Sequence, residues 1–204
     1  MDTKEHWEKI YGKYQPNEVS WYQDKPETSL MLIKKSGLKK DAAIIDVGCG
    51  ASIFLKFLMD DGYTNLTGVD ISEKSLEYAK NIAGKNAYKI KWVVSDITSA
   101  TFEDKFDIWH DRAVFHFLTD PESREKYIEV LKQSLKPDGV VIIASFAIGG
   151  PEKCSGLKVE QYDEEKCKST LGDDFELVEV VDELHVTPGE TKQQFYYFRI
   201  KKSI

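Results

Sequence analysis

The segment Ala42–Val47, apolar except for Asp46, stops at Gly48-Cys49-Gly50, and the helix-spaced run Ile53–Met59 follows at once. An apolar run of that length reads as a strand buried on both faces, as in parallel sheets whose crossover helices cover them. The same unit recurs down the chain. Leu66–Val69 is a second strand ending at Asp70, and Ser72 caps a helix through Ile82 with Glu73 near its positive end. Ile90–Val94 is a third strand ending at Asp96, and Phe106–Trp109 a fourth ending in His110-Asp111-Arg112. Asp120 and Pro121 open a helix with the stripe Tyr127, Val130 and Leu131, which Pro137-Asp138-Gly139 ends. Val140–Phe146 is the fifth strand, Glu164–Thr170 a short helix, and Phe175–Val181 with Phe195–Ile200 an antiparallel hairpin.

This order predicts an α/β fold: a doubly wound, mostly parallel seven-stranded sheet with helices on both faces and a C-terminal antiparallel hairpin. A chain of 204 residues is expected to form one domain. Residues 1–40 form a polar, aromatic, Pro-punctuated arm in which Leu30, Met31, Ile33 and Leu38 mark a helix opening near Thr28, and residues 41–204 form the core.

Composition narrows the function classes. The net charge of -7 lowers the expectation of a nucleic-acid partner. The three cysteines, Cys49, Cys154 and Cys167, contain no C-x-x-C pair, so neither a disulfide framework nor a metal site is indicated. The longest apolar stretch, Val140–Ile148, is too short to span a bilayer, and the charged N-terminus lacks a signal-type apolar region. No membrane association is expected, and a cytoplasmic location is.

In doubly wound sheets ligands bind outside the carboxyl ends of the strands. Here those ends carry Gly48–Gly50, Asp70, Asp96 and His110–Arg112. Glycines after a strand let the backbone pass close to a ligand, although a tight turn alone would also explain them. A dinucleotide fingerprint would require its third glycine at Ile53, where isoleucine obstructs close packing. Asp70, 24 residues past Asp46, is placed to accept both hydroxyls of a ribose, and Asp96 to accept an exocyclic amine such as adenine N6. Either aspartate alone reads more readily as a helix cap than as a ligand.

Together these pieces resemble the class I S-adenosylmethionine-dependent methyltransferases over almost the whole chain. The matching segments are DVGCGAS, VDIS, SDIT, FDIWHDRAVFHFL, LKPDGVVIIASF and the closing hairpin. The departure is Ser52, where many members have a third glycine. The resemblance implies a Rossmann-like methyltransferase fold with S-adenosylmethionine as cofactor and S-adenosylhomocysteine as product. It places Asp46, Gly48 and Gly50 beside the methionine part, Asp70 on the ribose hydroxyls and Ile71 against the adenine. It puts Asp96 and Ile97 at the adenine edge and His110 beneath the methionine end.

Trp7 and Tyr11 share a helical face, and with Trp21 they make either a docked helix or a lid over the sulfonium, whose charge aromatic faces attract. The arm resembles that of thiopurine-type and small lysine methyltransferases, which favours the lid. Arg112 and His116 would share a face if the chain turned helical directly after the fourth strand. Arg112 then either pairs with Asp111 or Asp120 or faces the acceptor, holding an anion or favouring a thiolate. His116 is either a general base or a packed core residue. The loop Gly149–Tyr162 resembles the lid of thiol and halide methyltransferases, with Cys154 on it as a surface thiol or a contact to a soft acceptor. These features favour a small soft nucleophile (a thiol, selenol or metalloid) as acceptor, with a protein lysine as the alternative. A cofactor-binding module without catalysis is a third reading. No Asn-Pro-Pro-Tyr-type motif follows the fourth strand, which speaks against nucleic acid.

Overall fold

In the computed structural model, which describes residues 3–203, strand β1 (Ala43–Val47) runs through the middle of a seven-stranded sheet. Met1, Asp2 and Ile204, the extreme ends of the expected domain, lie outside the described residues. Strands β2 (Asn65–Asp70) and β4 (Phe106–Arg112) flank β1 in parallel, with β3 (Ile90–Val94) beyond β2 and β5 (Leu135–Phe146) beyond β4. A short ladder in the loop after β5 supplies β6 (Lys153–Cys154) and β7 (Leu157–Lys158). The hairpin β8 (Phe175–Val186) and β9 (Lys192–Lys202) completes the sheet, β9 antiparallel to β5. The order is β3-β2-β1-β4-β5-β9-β8, the doubly wound arrangement expected from the alternation.

Successive residues of the central strands serve opposite cores, which is why the runs lack a polar face. Ile45, Trp109 and Ile143 pack on one side, against α5 (Pro121–Ser134) and α6 (Glu164–Leu171). Ile44, Ile108 and Ile142 pack on the other, against α2 (Glu27–Lys35), α3 (Phe54–Asp60) and α4 (Glu73–Ala83). Ser72 caps α4 and Asp120 caps α5, as their spacing implies. The remaining helix, α1 (Thr3–Lys13), belongs to the arm and crosses the carboxyl ends of the strands. Among the described residues no helix is long and apolar enough to cross a membrane.

Three boundaries differ from expectation. Helix α5 ends at Ser134 and Leu135 already pairs with Phe106, so Pro137-Asp138-Gly139 lies inside β5, with Asp138 at φ 60°. The hairpin strands are longer than their apolar stretches because β8 is an edge strand, whose solvent face carries charge. Strand β4 continues through Arg112, and only Phe115–Phe117 winds up, as a single 3-10 turn. Arg112 and His116 therefore do not share a helical face.

Candidate active site

Register places the strand ends level: Val47 pairs with both Val69 and Asp111, and Asp46 with His110. The loop leaving β1 bends through Gly48 at φ 58° and Gly50 at φ 53°, conformations a side chain rarely adopts. A Cβ would drive Gly48 into Val114 and Gly50 into the Tyr11 hydroxyl. These two glycines thus admit two neighbouring elements to the loop, not only a ligand.

Two cavities flank this loop. The first, about 280 Å³, is lined by Asp70, Ile71, Asp96 and Ile97 on one side and by Trp7, Tyr11, Val114 and Phe117 on the other. The second, about 380 Å³, is lined by Ser29, Asp46, Gly50, Ser52, Phe54 and His110, among others. Trp21, Gly48 and Arg112 border both. Among the described residues no cluster of three His, Cys, Asp or Glu side chains fit to hold a metal ion is present.

Asp70 is buried at the end of β2, where Gly50 N–H donates to Oδ2 at 2.8 Å and Ser72 N–H to Oδ1 at 2.8 Å. Each oxygen retains a further lone pair. Burial raises its pKa to about 6, against the pull of those two N–H groups. Asp96 is exposed, and its Oδ1 accepts both the N–H and the hydroxyl of Thr98, so it caps a turn as well as lining the first cavity.

On the other side, Asp46 Oδ1 meets His110 Nδ1 at 2.7 Å, and His110 Nε2 meets Ser29 Oγ at 2.9 Å. Phe54 stacks on the imidazole at 4.1 Å between centroids. All three members of the chain are buried. Ser29, on α2, carried no sequence signal, because a serine in an ordinary helix reads as surface.

The arm closes over the loop. Trp7 packs on Phe117 and Trp21, and Tyr11 on Trp21, with centroids 5.1, 5.8 and 6.2 Å apart. Glu8 accepts from Glu73 N–H at 2.6 Å, placing a carboxylate at the positive end of α4. Burial lifts the Tyr11 hydroxyl well above its ordinary pKa, so it stays protonated.

Arg112 pairs with neither Asp111 nor Asp120. Its Nε donates to Tyr197 Oη at 3.0 Å and its Nη1 to the Trp21 carbonyl at 2.9 Å, while Nη2 stands 4.0 Å from Glu183 Oε1. Asp111 is fully buried and structural: it accepts from Val114 N–H at 2.9 Å, Phe115 N–H at 3.1 Å and Tyr127 Oη at 2.7 Å. That cluster fixes the turn in which Ala113 takes φ 69°, a strained conformation for a non-glycine residue.

His116 lies apart from both cavities, fully buried against Phe117 and Phe146, with neither ring nitrogen partnered. Burial, with the nearby Arg112 charge, lowers its pKa to about 3, so at neutral pH it is an unprotonated imidazole that lines neither cavity. His116→Leu is expected to stabilise the fold by about 1–2 kcal/mol, since it removes unpaired buried polar atoms at similar volume, and to leave turnover unchanged. Between the ordinary 6.5 and about 3 the folded chain binds fewer protons than the unfolded one. Wild-type stability therefore falls on acidification through that window, and the variant's should fall less. Urea unfolding at pH 7.5 and 5.0 measures both effects. A hundredfold loss of turnover would restore His116 as a base.

Cys154 is buried, not a surface thiol; it lines the first cavity, and burial pushes its pKa up to about 11. Its loop is tied down by Glu160 N–H donating to the His116 carbonyl at 2.7 Å and Tyr162 N–H to that of Phe146 at 2.9 Å.

A family model described as a methyltransferase domain matches residues 38–201. Among curated proteins the chain is similar to EEF1A lysine methyltransferase 2 of Danio rerio, 30% identical over 160 residues, or 71% of this chain and 69% of that protein. The Homo sapiens protein of the same name is 26% identical over 194 residues, covering 88% and 76%. Similar solved structures include a SAM-dependent methyltransferase from Anabaena variabilis ATCC 29413, with TM-score 0.78, 18% identity and 99% and 96% of the two chains covered. Another is the N-methyltransferase NodS from Bradyrhizobium japonicum WM9 in complex with S-adenosyl-l-homocysteine, with TM-score 0.72, 19% identity and 97% and 98% covered. At those identities the structural likeness is one of fold.

Proposed function

The chain belongs to the class I S-adenosylmethionine-dependent methyltransferases, and from that premise we propose that it methylates the side-chain amine of a protein lysine. The residues present fit the cofactor. Asp70 keeps lone pairs toward the first cavity for a ribose, Asp96 and Ile97 line the place of an adenine, and Asp46 Oδ2 is a buried acceptor without a partner beside the glycine loop. Bound there, S-adenosylmethionine supplies an electrophilic methyl group on a sulfonium whose leaving group is neutral.

The observation that carries the lysine reading is the 30% identity, over 71% of this chain, to a protein named as a lysine methyltransferase. The electrostatics support it. Among the described residues lining the first cavity, Asp70, Asp96 and Asp120 outnumber the single cation Arg112, and the whole chain carries -7. A cationic lysine is drawn toward such a wall. Trp7, Val114, Phe117 and Leu118 then strip water from the ammonium, and desolvation lowers its pKa toward the nucleophilic free amine. The residues chiefly orient and desolvate; holding two reactants in line contributes about 7–11 kcal/mol in favourable cases.

The soft-nucleophile reading is kept second on one observation: at the border of the cleft Arg112 Nη2, 4.0 Å from Glu183 Oε1, has no hydrogen-bond partner, and a guanidinium there suits an anionic thiolate. Methyl-labelled S-adenosylmethionine, incubated with the protein and host lysate, separates the two. Label in protein bands, recovered after hydrolysis as methyl-lysine, is the expected outcome. Label confined to small solutes or headspace vapour would overturn it in favour of a thiol, selenol or metalloid.

A further inference from the structure

Strands β1 and β4 lie side by side with Val47 level with Asp111, and a left-handed residue follows each of them. Gly48 takes φ 58° directly after β1, and Ala113 takes φ 69° directly after β4. Such torsions are ordinary for glycine and costly for alanine. The other non-glycine residues of positive φ among those described, Asp138, Ser155 and Glu190, carry polar side chains and line neither cavity. Ala113 has no polar side chain to offset the strain, and it lines the first cavity. Its backbone is held at both ends: its own N–H donates to the Ala144 carbonyl at 2.9 Å, and the next, of Val114, to Asp111 Oδ1 at 2.9 Å. Strain maintained in this way beside a cleft points to a conformation the site uses.

The two turns meet at Gly48. A Cβ there would stand 2.0 Å from Val114 Cγ2, so the valine methyl fills the notch left by the missing side chain. Had β4 continued extended, alternation would send Val114 to the face of Arg112; the left-handed residue between them turns it over the glycine loop instead. On its far side that loop is tied by Cys49 N–H donating to the Val69 carbonyl at 3.0 Å and Gly50 N–H to Asp70 Oδ2 at 2.8 Å. Gly48 borders both cavities, and Ala113 and Val114 line the first, so the joint is a wall at the passage between them. We propose that Val114 is a positioning residue for methyl transfer: the turn at Ala113 seats it in the Gly48 notch, and this joint keeps the wall after β4 in register with the glycine loop. Val114 acts through Gly48, with the strained torsion as the means of delivering it. The proposal rests on family membership, not on the lysine reading, and holds whichever acceptor is used.

Three variants test it. Val114→Ala empties the notch, Val114→Thr keeps a branched side chain of nearly the same shape, and Ala113→Gly accepts the left-handed torsion without strain. The readouts are hydrogen exchange of the Cys49 and Gly50 amides in the cofactor-free protein, calorimetric affinity for S-adenosylhomocysteine, and transfer of methyl label from saturating S-adenosylmethionine to host lysate. Label is summed over protein, solute and vapour, so the identity of the acceptor does not enter. Val114→Ala is expected to exchange the two loop amides roughly tenfold faster and to transfer label at least about tenfold more slowly, since misplacement by about 1 Å can cost a hundredfold. Its affinity for S-adenosylhomocysteine should stay within about threefold of wild type, a split that general damage to the fold would not produce. Val114→Thr should restore exchange and transfer to within about threefold. Ala113→Gly should unfold in urea at or above the wild-type midpoint, because relief of the torsion offsets the freedom glycine gains in the unfolded chain, and should transfer within about twofold of wild type. Unchanged exchange or transfer in Val114→Ala, a loss of S-adenosylhomocysteine affinity as large as its loss of transfer, or a tenfold slower Ala113→Gly would overturn the proposal. Wild-type protein that neither binds S-adenosylhomocysteine nor transfers label would overturn the cofactor assignment and the proposal with it.

Discussion

Asp70→Ala is expected to raise the dissociation constant for S-adenosylmethionine by at least about 100-fold while the protein stays folded. A carboxylate accepting two ribose hydroxyls makes two charge-assisted hydrogen bonds, each roughly 1.5–3 kcal/mol. The substitution also releases Gly50 N–H, which Asp70 Oδ2 holds at 2.8 Å, so the glycine loop loses its tether. Some stability is lost as well, since Gly50 N–H and Ser72 N–H give up their acceptor, a loss offset in part by the desolvation cost that the buried carboxylate carries. With its pKa raised from 3.8 to about 6, Asp70 keeps in the folded state a proton that the unfolded chain has lost. Its contribution to stability therefore falls as pH rises across that window, and alanine removes it. The same titration governs binding: below pH 6 the protonated carboxyl accepts ribose hydroxyls poorly. Wild-type affinity should decline through that pH, and the residual affinity of Asp70→Ala should not. Calorimetry at pH 5, 6 and 7.5 reads both, and unchanged affinity in the variant would sink the ribose assignment.

Asp111→Ala should be the most destabilising single change near the cleft, costing about 3–5 kcal/mol by urea unfolding. It leaves Val114 N–H, Phe115 N–H and the Tyr127 hydroxyl without their acceptor in a fully buried place, and each orphaned donor costs about 1–3 kcal/mol. Trp109 Nε1 donates to the same tyrosine oxygen at 2.8 Å, so the disturbance reaches the core. Tyr127→Phe removes one of the three bonds and should cost about 1 kcal/mol. A loss below 1 kcal/mol in Asp111→Ala would show that the turn holding Ala113 at φ 69° is stabilised elsewhere.

The parallel core was legible because burial on both faces leaves an unambiguous signature: Ile44-Ile45 and Ile142-Ile143 are apolar whichever core they enter. The glycine loop and Asp70 were legible because torsion and strand-end position restrict which residues serve there. Less legible was the meaning of charged residues after β4. Asp111 and Arg112 sit side by side in sequence, yet alternation along the strand sends them to opposite faces, one to Tyr127 and the other to Tyr197. His116 illustrates the same limit, since a core imidazole and a catalytic one share a one-letter code. Ser29, Glu8 and Tyr197 were invisible because their roles arise from contacts with residues 81, 65 and 85 positions away. Local pattern carries no trace of such contacts.

The structure of the protein with S-adenosylhomocysteine bound tests the account most directly. The expected result is one ligand spanning both cavities, its ribose on Asp70, its adenine between Ile71 and Ile97, and its amino acid end beside Asp46 and Gly48. A ligand held entirely on one side of Trp21 and Gly48, or one whose ribose is away from Asp70, would contradict it.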